Sequence, residues 1–165
     1  MRATEATNGG WVLTLRRYLG LTLLLNLGWE TLQLPLYTLW QTGSPQQLMF
    51  VVAHCTLGDV LIATMALILA LLVNGASRWP ASGFGRVLLL ATAFGLLYTL
   101  FSEWLNIVVR QSWAYAPAMP RLPVTGTGLA PLLQWTLLPP ATLYLSRPEG
   151  VRLTQINARR GGSAP

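Results

Sequence analysis

Apolar residues fill four stretches of this chain almost without break, and the few polar residues inside them recur at helical spacing. The stretches cover 18–40, 47–73, 87–109 and 129–146. A membrane span takes roughly 20 mostly apolar residues. The pattern predicts an all-α integral membrane protein, a four-helix transmembrane bundle forming one domain over 1–146. The polar segment 147–165 reads as a disordered tail. The link 41–46 is short and predicts a hairpin of the first two spans. Pro35 predicts a bend at the end of the first span. Pro139 and Pro140 remove backbone donors inside the fourth and predict a kink there. Arg16 and Arg17 precede the first apolar run as in a twin-arginine signal. Trp29, Glu30 and Gln33 follow it instead of a small-x-small cleavage site, so the segment reads as an uncleaved helix.

Composition agrees with the pattern. Of 165 residues, 53% are hydrophobic and 10% charged, against about 25% charged in soluble domains. The 11 basic residues are all arginine and give a net charge of +6. Their positions speak for topology rather than for nucleic acid. Arg2, Arg16, Arg17, Arg78, Arg86, Arg147, Arg152, Arg159 and Arg160 fall on one side of the predicted spans, and only Arg110 and Arg121 on the other. Lys/Arg bias marks the cytoplasmic face, so both termini are expected in the cytoplasm of a multi-pass protein of the cell's inner (plasma) membrane. The loop 110–128, with Trp113 and Tyr115, is then expected outside, in the periplasm if the source is a Gram-negative bacterium. One cysteine, Cys55, excludes an intrachain disulfide.

Three of the five acidic residues fall inside predicted spans. An ionisable group in hydrocarbon is costly and normally faces the protein interior. Asn26, Glu30 and Gln33 follow i, i+4, i+7 and share a helical face. Thr99, Glu103, Asn106 and Arg110 share another. At 1.5 Å per residue, Glu30 lies about 15 Å below the outer boundary, His54 and Glu103 about 10 Å, Asp59 about 18 Å and Gln134 about 8 Å. The inner halves, such as 61–73 and 87–97, are nearly all apolar. The sequence thus predicts one polar pocket opening outward, closed by apolar packing below and covered by the outer loop as a lid.

That pocket predicts acid–base chemistry on a lipophilic substrate, an isoprenoid or other lipid. Glu30 and Glu103 are the expected acid/base pair, Asp59 an orienting or charge-stabilising group and His54 a proton shuttle. Asn26, Gln33, Tyr98, Asn106, Arg110, Trp113, Tyr115 and Gln134 are the expected pocket or substrate-binding residues, with Arg110 as an anion or carboxylate partner. A lone histidine excludes bis-histidine haem, and no Glu-x-x-His pair marks a carboxylate metal centre. No metal and no cofactor is assigned. Membrane lipids and a lipophilic small molecule are the expected partners, with a homo-oligomer left open. Two other classes stay open: a small transporter or ion-translocating subunit, and a structural or assembly subunit of a membrane complex. Glu30, Gln33, Pro35 and Tyr37 together resemble a short segment of small membrane proteins of the sterol-isomerase type. The likeness covers that segment alone and transfers no residue role.

Overall fold

The computed structural model describes residues 2–75 and 79–147. The expected tail lies outside them from residue 148, as does Arg78. The described residues form helices and no strand. Two helical stretches, Pro45–Asn74 and Phe84–Val109, are long and apolar enough to cross a membrane.

Helix α1 (Arg2–Gln33) is followed by a 3-10 turn (Leu34–Leu36) and by the short α2 (Leu39–Thr42). The expected first span, 18–40, therefore does not continue as one helix to its end. Pro35 sits inside the 3-10 turn. It offers no N–H to the helical ladder and its ring clashes with the preceding turn, which stops α1 here. Helix α3 (Pro45–Asn74) begins on a capping box. The Gln47 N–H donates to Ser44 Oγ at 3.3 Å, and the Ser44 N–H donates to Gln47 Oε1 at 2.8 Å. Helix α4 (Phe84–Trp104) widens into a π-helical turn (Leu105–Val109), in which the Arg110 N–H reaches back five residues to the Leu105 carbonyl at 2.8 Å. Helix α5 (Leu129–Ser146) continues through Pro139 and Pro140.

Helices α1 and α4 each pack against both α3 and α5. On α1 the buried face is the polar one. The buried face of α1 is Thr14, Tyr18, Thr22, Asn26, Glu30 and Gln33. Its exposed residues include Leu23, Leu24, Leu27 and Leu32, and on α3 Leu57, Leu61, Met65 and Leu72 are also exposed. Soluble helices place these two sets the other way round.

The buried stripe of α4 is Val87, Ala91, Gly95, Thr99 and Glu103, four residues apart and mostly small. Small residues let helices approach closely without a hydrophobic drive. Gly95 is needed for this. A Cβ there would run into the Trp135 ring. Around Trp135 the apolar core gathers Tyr18, Leu67, Trp79, Val87 and Leu143.

That core closes the far end less uniformly than the sequence suggested. The apolar inner halves of α3 and α4 are present, but α1 contributes buried Thr14, Tyr18 and Thr22 there, and α5 contributes Thr142 and Ser146. Most of these hydroxyls bond helix carbonyls. Thr14 donates to Gly10 O at 2.8 Å, Thr142 to Pro139 O at 3.0 Å and Ser146 to Leu143 O at 2.9 Å. Tyr18 crosses between helices to Ala63 O at 3.0 Å.

At the other end, the loop 110–128 is tied to the break after α1. The Thr38 N–H donates to Ala114 O at 3.0 Å, and the Ala116 N–H donates to Leu36 O at 2.9 Å. The loop expected as a lid is thus held by backbone hydrogen bonds at the end of α1.

Candidate functional site

Four helices bring polar side chains to one place near this loop. Gln134, fully buried on α5, is the hub. Its amide nitrogen lies 2.8 Å from Asn26 Oδ1, 3.1 Å from Glu30 Oε1 and 2.8 Å from Asp59 Oδ2. An amide has two N–H donors, so three acceptors share them. Gln33 closes the ring, donating from Nε2 to Glu30 Oε1 at 2.7 Å and to Gln134 Oε1 at 3.4 Å. Its own Oε1 accepts from the Trp29 indole at 3.1 Å. Each carboxyl group is therefore held by amides supplied from a neighbouring turn or a neighbouring helix.

Glu30 Oε1 and Asp59 Oδ2 share one donor, the Gln134 amide nitrogen. An ionised carboxylate only accepts hydrogen bonds. Two ionised carboxylates on one shared donor therefore repel, and a proton on the pair relieves that repulsion.

Glu103 is bonded differently. The Tyr115 hydroxyl donates to Glu103 Oε2 and accepts from the Gly128 N–H at 2.8 Å. The guanidinium of Arg121 lies over the Tyr115 ring, 5.1 Å from its centroid. Burial, and then the bond to Glu103, hold the Tyr115 hydroxyl above the ordinary tyrosine range, so it stays a donor at neutral pH. Gly128 has no room for a side chain. A Cβ would come within 2.8 Å of the Tyr115 ring. Arg110 is exposed, and among the described residues the partner of Glu103 is Tyr115.

The polar cluster borders a cavity of about 340 Å³, within the range of small-molecule sites, about 300–1,000 Å³. Glu30, Gln33, Asp59, Glu103, Asn106 and Gln134 line its depth. His54, Tyr98, Arg110 and Trp113 also border it. His54, Tyr98 and Arg110 are exposed, which puts them at the rim. His54 stacks on Phe50, with ring centroids 5.6 Å apart. Two expected pocket residues stand apart from the cavity wall. Asn26 lies against a separate void of about 10 Å³ with Thr22 and Thr142. Tyr115 reaches the site through Glu103.

Sequence reasoning overlooked Tyr37, Thr99 and Trp135, which also line the cavity. Thr99 sits one turn from Glu103 and was legible as part of that stripe. Tyr37 lies beyond the end of α1, and only the Pro35 break brings its ring to Tyr115, 5.6 Å between centroids.

Among the described residues, no group of three or more His, Cys, Asp or Glu side chains has the geometry to hold a metal ion. The fold and site define an all-helical protein with a carboxyl-lined cavity enclosed by four helices. The chain matches no family model, no curated protein and no solved structure.

Proposed function

We propose that this protein is a multi-pass inner-membrane enzyme that carries out acid–base chemistry on a lipophilic substrate such as an isoprenoid or another lipid. In this reading α1, α3, α4 and α5 cross the bilayer as a four-helix bundle, with both termini cytoplasmic and the cavity facing the outer side. The exposed leucines of α1 and α3 support the membrane setting, because such a surface is stable against lipid and costly in water. The arginine distribution supports the orientation.

The observation that carries the catalytic reading is the convergence of Glu30, Asp59 and Glu103, from three helices, on one cavity of about 340 Å³. Carboxyl groups serving only as interhelical ties need no such space, and a structural subunit would be expected to close around them. The chemistry that fits is proton transfer: isomerisation, cyclisation, hydration or group transfer.

Comparative mass spectrometry of lipids from deletion and wild-type membranes tests this. The expected result is accumulation of one lipid class and depletion of another in the deletion strain. Identical lipid profiles would count against the enzyme.

A second reading, a small ion-translocating protein, is favoured by the buried hydroxyls of Thr14, Tyr18 and Thr22, which extend the polar face of α1 away from the cavity. Ion flux in proteoliposomes separates the two. Flux above that of empty vesicles, abolished by Asp59→Asn, would support translocation.

A further inference from the structure

The cavity presents its carboxyl groups in two bonding situations. Glu30 and Asp59 form a pair. One amide nitrogen, that of Gln134, donates to both, at 3.1 and 2.8 Å, which holds the two carboxyls side by side. Two negative charges held this close repel, and one proton on the pair removes the repulsion. Glu103 stands alone and accepts a hydroxyl hydrogen from Tyr115. The Gly128 N–H occupies the acceptor side of that hydroxyl, so the tyrosine's one hydrogen is directed at Glu103. A donated hydrogen bond favours the charged form of a carboxyl group.

We propose that the site is built with a fixed proton asymmetry: the Glu30–Asp59 pair holds the transferable proton, and Glu103 is the proton acceptor, kept so by Tyr115 as a positioning residue. This rests on the acid–base reading above and deepens it, because it assigns opposite roles to carboxyl groups that the sequence leaves equivalent.

The surroundings are consistent with the division. The basic side chains bordering the cavity, His54 on α3 and Arg110 after the π-turn, are both exposed at its rim. Arg121 lies against the Tyr115 ring rather than against a carboxylate. The remaining titratable groups facing the site are Cys55, Tyr37 and Tyr98, none of which brings a positive charge. No cation therefore substitutes for the proton of the pair. In turnover the pair would give its proton to the substrate while Glu103 removes one from it, and the cavity that both border offers the return route. Substrates that gain and lose one proton at different atoms, as in moving a double bond, fit this arrangement.

Infrared spectroscopy of the full-length protein in lipid nanodiscs at neutral pH tests the assignment, because only a protonated carboxyl shows the high-frequency C=O stretch. The expected wild-type spectrum contains one such band. Glu30→Gln and Asp59→Asn should each remove or move it, and Glu103→Gln should leave it in place. Tyr115→Phe should add a second band, absent from Tyr115→Phe combined with Glu103→Gln. A wild-type band lost in Glu103→Gln, or no band at all, would overturn the proposal. An unchanged Tyr115→Phe spectrum would overturn the role of Tyr115. Should Tyr115→Phe fail to fold, the contrast between Asp59→Asn and Glu103→Gln decides the matter alone. Unchanged lipid profiles on deletion would remove the enzyme reading yet leave these spectra standing. A proton found on Glu103 would reverse acid and base whatever the lipid result.

Discussion

The side-chain amide of Gln134 on α5 donates to Asp59 on α3 at 2.8 Å, and the same nitrogen serves Asn26 and Glu30 on α1. One neutral residue thus links three helices. Gln134→Leu leaves buried acceptors without their donor, which costs about 1–3 kcal/mol per unsatisfied group. Thermal unfolding of the purified variant in detergent should start at a clearly lower temperature than wild type. Gln134→Glu is nearly isosteric but adds a third carboxyl to a buried pair. Its loss should be larger at neutral pH and should shrink as pH falls and the carboxyls become protonated. A pH-independent loss would contradict the role of hub.

Gly95 and Trp135 touch so closely that no side chain fits between them. Gly95→Ala forces α4 and α5 apart, and overpacking of this kind costs about 1–3 kcal/mol. Because Trp135 also borders the cavity, the same change should alter its fluorescence. Unaltered stability and emission would mean that the two helices are not packed in this way.

Tyr115 provides a pH test outside the spans. Burial raises its hydroxyl above the ordinary tyrosine range. A group raised in the folded state contributes stability that is complete below its unfolded value, about 10 for tyrosine. The contribution is lost as pH rises beyond that value. Docking of the loop 110–128, followed by protease cleavage at Arg121, should therefore be constant through neutral pH and weaken only in strongly alkaline solution. Tyr115→Phe should remove that alkaline step. Gly128→Ala, which pushes a methyl group into the Tyr115 ring, should loosen the loop at all pH values.

The exposed apolar residues offer a test of the membrane setting. Leu61 lies near the middle of α3 and is exposed. An arginine at the centre of a membrane helix costs about 3 kcal/mol on insertion scales. Leu61→Arg should cut the membrane-inserted fraction sharply. An unchanged yield of inserted protein would contradict a lipid-facing Leu61.

Much of this arrangement was legible in the chain, and the exceptions have identifiable causes. The i, i+4 spacing of Asn26 and Glu30, and of Thr99 and Glu103, places each pair on one helical face, and Glu30, Thr99 and Glu103 border the same cavity. The limits of α5 coincide with the apolar stretch 129–146. The i, i+7 spacing that put Arg110 on the face of Glu103 holds only in a regular α-helix. The π-turn Leu105–Val109 breaks that period and leaves Arg110 at the rim. Tyr115 looked like a lid residue because its hydrogen bonds span 12 and 13 residues to Glu103 and Gly128, a closure that no local pattern reports. The centrality of Gln134 depends on the relative rotation of α1, α3 and α5, which periodicity within single helices does not encode. Thr14 was passed over because the apolar count begins the first span at residue 18, whereas α1 starts near the N-terminus.

The most direct measurement returns the gene to deletion membranes in four forms: wild type, Glu30→Gln, Asp59→Asn and Glu103→Gln, each checked for equal amounts of inserted protein. Lipid mass spectrometry then reads the outcome. The expected result is that wild type restores the lipid profile while each carboxyl variant leaves the substrate class accumulated, with product formation reduced at least 100-fold, the usual scale for removing a general acid or base. Restoration by all three variants would contradict catalysis by these carboxyl groups and leave them as ties between helices.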